Sequence, residues 1–315
     1  MVYVKEYEGI LQAYEKAGGD ARLLKSNEIG RLVVHENNVL SANEVSGIRM
    51  KVQQREFGVA INFLIERGRK IEKPVHLCFG ILPEKGRQEI ELKVEAQDES
   101  EVEVIAHCIF PKGIDILHKM DAEIKIGNKA EFCYRETHYH GEYGGVEVIA
   151  RGKVMVEEGG RYESTFALVQ GLIGKLDYDF EVTTLEKGVS ELLVKAYGKE
   201  DDEIKVREKI YLNGSEARGL AKTRIVLKDR AKAEVRGETY GNAPFARGHV
   251  DCVELVKGRE AVAKAIPIVA VNHDQAKVTH EAAIGSIEKK QIQTLMARGL
   301  NEEEAVDIIV RGVLK

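Results

Sequence analysis

The stretch "KVTHEAAIGS" (Lys277 to Ser286) sets His280 beside Glu281 in a segment with strand-like alternation, then adds the small residues Ala282, Ala283 and Gly285. Imidazole and carboxylate both ligate metals and both exchange protons. Strand parity groups His280 with Ala276 and Val278 but sends Glu281 to the other face with Lys277 and Thr279. The pair therefore shares one ion only where the strand bends or bulges. A second set of donors lies mid-chain: His107 and Cys108 in "AHCIFPKG", Cys133 in "EFCYRE", and His138 and His140 in "THYHG". The His-x-His spacing puts both imidazoles on one strand face, a pattern that suits zinc or iron, and stacked neighbouring strands would bring Cys133 or the His107/Cys108 pair close. Cys108 shares the parity of the apolar Val102, Val104 and Ala106 and equally fits a core filler. Cys133 has the opposite parity to Ala130 and Phe132, so its thiol is expected to face outward or into a loop, available for chemistry. The set is a candidate sulfur-entry or secondary metal site. His76 beside Cys78 fits a structural role, and His35, His118 and His273 carry no functional assignment.

The elements that must position these groups follow from periodicity. Tyr3, Tyr7, Ile10, Leu11 and Tyr14 recur at three- and four-residue steps and end at "AGG" (Ala17 to Gly19), which predicts an amphipathic helix. Residues 20 to 70 are mixed. From Pro74 the period changes to two, as in "IELKVEA" (Ile90 to Ala96), "VEVIAHC" (Val102 to Cys108), "AEIKI" (Ala122 to Ile126) and "LDYDFEV" (Leu176 to Val182), so each strand has a buried face and a wet one. The turn residues Gly214, Asp229, Gly258 and Asp274 are separated by 15, 29 and 16 positions. Those intervals suggest a β-solenoid with coils of roughly fifteen residues, although an antiparallel sandwich would give similar alternation. The tail predicts two short helices: one carries Ile292, Leu295, Met296 and Leu300, and the other has Asn301 as N-cap, Glu304 completing a capping box, and Ala305, Ile308 and Ile309 on one face. They either plug the end of the β-domain or dock a partner.

Composition removes several classes of function. The 315 residues carry 52 acids against 47 bases, a net charge of −5, and no basic patch stands out, so neither nucleic acid nor an anionic membrane is an expected partner. The first residues have acids where a signal peptide needs an apolar run, and "GVAINFLI" and "AIPIVAV" are too short to span a bilayer, which predicts a cytoplasmic protein. The four cysteines show no Cys-x-x-Cys spacing, which argues against a disulfide framework and a zinc ribbon. Any metal site must then be assembled by folding or by association of chains. No GxxxxGK[ST] phosphate loop occurs, so ATP, if used, is handled by another chain.

"GHVDCVELVKG" (Gly248 to Gly258), "IPIV" (Ile266 to Val269), "THEAAIGSI" (Thr279 to Ile287) and "LMARGLNEEEAVDIIVRGVL" (Leu295 to Leu314) resemble the C-terminal half of the SufB/SufD proteins of iron–sulfur cluster assembly. Upstream, "KPVHLCFG", "AHCIFPKG" and "HYHGEYGG" are similar to the short, archaeal-type branch of that family, which extends the resemblance over nearly the whole chain. The chain is much shorter than a bacterial SufB, so functions lodged in the long N-terminal extension are not carried over. The resemblance implies a mainly β fold, a right-handed parallel β-helix flanked by helical termini. The expected divisions are a helical and mixed segment at 1–70, a β-helix core at 71–284, and a helical segment at 285–315 that docks an ATPase.

The resemblance also implies a function. Cys252 falls where the family carries an essential cysteine, and His280 and Glu281 where it carries a histidine and a glutamate. A nascent cluster needs a soft thiolate to hold iron and sulfide, with harder N or O ligands that let go on transfer. One chain supplies few ligands, and a two-fold interface would duplicate each of them. The expectation is a non-catalytic scaffold for de novo assembly and transfer of a transient iron–sulfur cluster of unspecified type. Its expected partners are a SufC-type ABC ATPase bound through the C-terminal helices, a second copy or a SufD-like chain, a sulfur donor and apo-protein acceptors. Rival readings are a structural adaptor of the ATPase without its own cluster and a carbohydrate-active β-helix protein. The last needs clustered carboxylates and aromatic platforms, whereas here the acids are interleaved singly with bases and tryptophan is absent.

Overall fold

A computed structural model describes residues 4–314. Two helices, α1 (Val4–Lys16) and α2 (Ala21–Lys25), precede nineteen strands. These are β1 (Arg31–His35), β2 (Asn38–Asn43), β3 (Ile48–Arg55), β4 (Gly58–Ile65), β5 (Val75–Gly80), β6 (Lys85–Ala96), β7 (Glu101–Phe110), β8 (Asp115–Ile126), β9 (Glu131–His140), β10 (Val146–Val156), β11 (Arg161–Gln170), β12 (Lys175–Thr184), β13 (Val189–Gly198), β14 (Glu203–Leu212), β15 (Arg218–Lys228), β16 (Lys232–Gly241), β17 (Arg247–Lys257), β18 (Val262–Val271) and β19 (Lys277–Ser286). Helices α3 (Lys289–Met296) and α4 (Glu302–Val313) close the chain; Tyr3 of the expected first helix lies outside the described residues.

From β4 onward consecutive strands alternate between two parallel sheets. The first runs β19-β17-β15-β13-β11-β9-β7-β5-β1-β2 and the second β18-β16-β14-β12-β10-β8-β6-β4-β3. The result is a flattened β-solenoid of about eight turns. Arg218 pairs with Arg247, and Glu203 with Lys232, so one full coil consumes 29 residues there. The expected fifteen-residue unit is therefore half a coil: one strand and one turn. Two-residue alternation builds the core, with Leu176, Tyr178, Phe180 and Val182 of β12 pointing between the sheets while the charged residues between them face out.

The corners stack as well. Gly68, Glu99, Lys129, Gly159, Lys187, Glu216 and Phe245 all have left-handed backbone, and the amide of Glu99 donates to the carbonyl of Asn128, that of Lys129 to Glu158, and that of Gly159 to Glu186. Each corner thus satisfies its polar groups on the next coil, which is why ordinary side chains tolerate a conformation that favours glycine. Along the C-terminal coils Asn213, Asn242 and Asn272 form a side-chain ladder at 2.7 Å per step.

The two ends differ. Residues 31–70, expected to be mixed, already form four strands, and the antiparallel pairs β1–β2 and β3–β4 occupy the N-terminal sheet edges. Helix α1 buries Ile10, Leu11, Ala13 and Tyr14 on the outer face of the first sheet, against Val33, Cys78 and Ile109, so β1 and β5 are buried on both faces. Helices α3 and α4 pack further along the same outer face, where Ala305, Val306 and Val310 meet Tyr197 and Val226. They do not plug the open end. The capping box of Asn301 and Glu304 is formed, but Ile308 is exposed rather than on the packed face with Ala305. At the C-terminal end β18 and β19 are the last strands of their sheets, and most of their side chains are exposed or half-buried. Among the described residues no helix is long and apolar enough to cross a membrane.

Candidate functional site

Strand register places the four cysteines and most of the histidines. Within the first sheet one inward-facing column runs Ala106, Glu136, Phe166, Val194, Thr223, Cys252, Ala282. The adjoining column runs Cys108, His138, Leu168, Ala196, Ile225, Glu254, Ile284. Polar groups thus occur in two chambers inside one apolar coil, about 19 Å apart at four strand spacings.

The C-terminal chamber holds Cys252, which is 1% exposed. Across the coil its Sγ faces Gly237, where a Cβ would sit 3.7 Å from the sulfur and 2.5 Å from Val250 Cγ1, so the glycine lets Val250 and Cys252 pack against the opposite wall. Thr223, Glu254 and Glu208 complete the surroundings; Glu208 Oε1 and both carboxylate oxygens of Glu254 have no hydrogen-bond partner among the described residues. Burial pushes the Cys252 thiol up to about 12, opposed by the Thr223 hydroxyl and reinforced by the two glutamates. Burial likewise raises Glu254 to about 7 against the pull of Arg224, and raises Glu208 well above the usual carboxylate range. These acids are held neutral more readily than exposed ones, and a cation entering the chamber would find oxygen donors to ionise. The thiol therefore sits at the end of the main apolar core, with carboxyl groups set into it.

The open end is one strand beyond Cys252. "KVTHEAAIGS" coincides with β19, the final strand of its sheet. His280 pairs with Val250 and Glu281 with Asp251, so His280 has the inward parity of Cys252, at a diagonal distance of about 8 Å between backbones, and Glu281 the outward parity. No β-bulge brings them to one face. Both are exposed. Ala282 covers Cys252 in the register, a small side chain where a large one would seal the coil.

The central chamber is richer in nitrogen. Cys108 points inward with the parity of its apolar neighbours, His138 and His140 share a face as their spacing predicts, that face is the inner one, and all three are buried. Two members of the expected set do not join them. His107 has the opposite parity to Cys108 and lies under α1, its ring 4.5 Å from that of Tyr14. Cys133 stands half-buried on the outer face beside Arg135 and Glu103, with its thiol raised by burial and lowered in part by Arg135. His76 also lies under α1, bonded through Nδ1 to the Tyr14 hydroxyl at 3.1 Å.

Two buried residues that sequence reasoning left out complete the chamber: His118, from β8 of the opposite sheet, and Glu136. His118 shares the parity of Ile116 and Met120 inside "DILHKMDAEIKI", which was the available signal. The ligand atoms of Cys108, His118 and His138 lie within 4.8 Å of one another. His138 Nε2 is 2.6 Å from Glu136 Oε1, to which the Cys108 thiol donates at 3.6 Å. His140 Nδ1 bonds the Leu172 carbonyl at 3.1 Å. Burial drives His118 well below its ordinary value and His140 to about 3, and it raises the Cys108 thiol well above the normal range.

Comparison with known proteins agrees with this architecture. The family described as "SUF system FeS cluster assembly, SufBD core domain" matches residues 84–313. An iron–sulfur cluster assembly SufBD family protein of Methanocaldococcus jannaschii is 39% identical over 284 residues, covering 90% of each chain. Another from Pyrococcus horikoshii is 35% identical over 312 residues, 99% of this chain and 94% of that one. The iron–sulfur cluster assembly protein SufB of Bacillus subtilis is 25% identical over 259 residues, 80% of this chain but 54% of that protein.

Proposed function

The chain belongs to the SufBD family of iron–sulfur cluster assembly proteins, and from that premise we propose that it is a non-catalytic scaffold on which a transient cluster is built and released. The observation that carries this reading is the placement of Cys252 one strand from an open coil end whose last strand presents His280 and Glu281. In this reading Cys252 is the thiolate that holds the cargo iron, Glu281 is a ligand presented at the interface of two copies, and His280 ligates or supports them. The opposite parity of His280 and Glu281 fits ligation across a two-fold interface better than chelation by one chain, because each face can then meet a different protomer. Exposed Val262, Val271 and Ile284 on the last coil supply apolar surface for the pairing, with a second copy or a SufD-like chain as partner.

Helices α3 and α4 are the proposed dock for a SufC-type ATPase. Met296 and Ile308 remain exposed after the helices pack on the coil, and α4 is joined to it by the Lys228–Glu303 and Lys257–Glu302 ion pairs. Movement of these helices would reach Cys252 by a short route, since Leu255 on the same strand packs against them. The setting is proposed to be cytoplasmic, with a sulfur donor and apo-protein acceptors as transient partners. Anaerobic reconstitution with ferrous iron and sulfide tests the reading: Cys252→Ala is expected to lose the cluster absorption and its transfer to an apo-ferredoxin. Full retention of both would overturn the scaffold assignment and leave an adaptor of the ATPase.

A further inference from the structure

The central chamber contains donors that a cargo site at the coil end does not use. His118 is 1% exposed, and neither of its ring nitrogens has a hydrogen-bond partner among the described residues. Leaving such a group unpaired in an apolar interior forfeits hydration without replacing it, so an imidazole with both nitrogens bare calls for a ligand. His138 Nδ1 and His140 Nε2 are bare in the same chamber. Each of these two rings is fixed through its other nitrogen, by the Glu136 carboxylate and by the Leu172 carbonyl. That is the arrangement of a metal-ligating histidine, in which an outer partner sets the tautomer and aims the remaining lone pair inward.

We propose that Cys108, His118 and His138 form a closed binding site for one divalent transition-metal ion, zinc or iron(II), pinned between the two sheets. Their ligand atoms all lie within 4.8 Å of one another, near enough for side-chain rotation to bring them to the edges of about 3.3–3.6 Å expected of a tetrahedral site with N and S ligands. One thiolate and two imidazoles select borderline metals over calcium or magnesium. His140, whose Nε2 is bare in the same chamber, can offer a fourth donor. Glu136 orients His138 and accepts from the thiol in the metal-free protein; on binding, the Cys108 proton leaves and the sulfur takes the metal in its place.

The site differs in kind from that proposed for the cargo. Its ligands come from both sheets, β7 and β9 on one side and β8 on the other, so the ion would tie the faces of the coil together. Phe110 lies against His118 at 4.9 Å between ring centres and Phe166 against His138 at 4.8 Å, and both phenylalanines are buried. The ion is therefore expected to enter during folding and stay.

Cobalt(II) is a suitable probe because a tetrahedral thiolate site gives it intense ligand-field and sulfur-to-metal charge-transfer absorption. Refolding the full chain anaerobically with cobalt(II) is expected to give these bands at one ion per chain in both wild type and Cys252→Ala. They should disappear in Cys108→Ser and His118→Leu, with circular dichroism confirming the β-fold of each. Should those two variants not refold, X-ray absorption of the wild-type cobalt protein decides: one sulfur with at least two nitrogen ligands supports the site. Wild type that refolds without stoichiometric cobalt, a spectrum lacking sulfur, or bands lost in Cys252→Ala but kept in Cys108→Ser would overturn it. A failure of cluster assembly leaves these outcomes untouched, so the two assignments fall separately.

Discussion

The two polar chambers share a wall, since both lie along the same two inward columns of the first sheet, yet their chemistry is opposite. The central one is dominated by imidazoles, with one thiol and the Glu136 carboxyl beneath phenylalanine rings; the C-terminal one has a thiol and carboxyl groups without an imidazole, next to an open end. Between them stand Phe166, Leu168, Val194, Ala196 and Ile225, all buried. The difference teaches that inward-facing polarity in a solenoid is a local choice made coil by coil. Stacking gives each position a defined neighbour above and below, so a column can change from sulfur to aromatic to carboxylate without altering the backbone.

The largest expected effect breaks the comparison on the functional side. Cys252→Ala should abolish cluster assembly on reconstitution, whereas Cys133→Ala, on the outer face, should leave it near wild type; equal loss in both would erase the distinction between the coil end and the rest of the molecule. Next comes the partition: Phe166→Ala should destabilise the protein by about 3–5 kcal/mol in urea unfolding, because a fully buried ring is removed from a stack that cannot collapse around the gap. A loss below 1 kcal/mol, in the surface range of ordinary substitutions, would mean that the wall is not packed.

Titration sharpens the contrast because the chambers respond to pH with opposite sign. His140 is held near 3 against an ordinary 6.5, so its neutral form stabilises the fold fully above about 6.5, and that contribution is lost as pH falls toward 3. His107, held at about 4 under α1, acts in the same direction. Glu254 is raised from 4.5 to about 7, so its contribution is complete below about 4.5 and is lost as pH rises through 7. Glu254→Gln should therefore stabilise the protein by roughly 2–3 kcal/mol at pH 8 and by little at pH 4.5. Thermal melts at the two pH values check this, and an equal gain at both would show that Glu254 is ionised throughout. The smallest effect belongs to Thr223→Val, which removes the hydroxyl beside Cys252 and Glu254: a stability change within about 1.5 kcal/mol and a higher thiol pKa, read by the pH dependence of alkylation in mild denaturant.

Much of this was legible in the sequence where chemistry and period coincide. Two-residue alternation identified the strands, gave Cys108 the parity of the core and put His138 and His140 on one face of their strand. The capping box at Asn301 and the last strand at "KVTHEAAIGS" were likewise readable locally. What stayed hidden depended on contacts across the coil. His118 has no sequence neighbour among the other donors and meets them only because β8 faces β7 and β9. Glu208 shares the parity of Ile204, Val206 and Ile210, and Glu254 that of Val250 and Cys252, so alternation carried the signal, but a glutamate among charged neighbours reads as part of the wet face. His107 was grouped with Cys108 by adjacency, although adjacent residues on a strand face apart. β1 was missed because α1 covers its outer face, so all five of its residues are buried and no alternation remains.

The half-coil unit also limits how such a chain can change length. Loss or gain of a complete turn of the spiral, 29 residues at Arg218, shortens or lengthens the stack by about 4.8 Å and returns every later residue to its own wall. Loss of half a turn would transfer all downstream strands to the opposite wall, moving Cys252 and the terminal helices to the other side of the body. Insertions and deletions among viable variants should therefore come in whole turns.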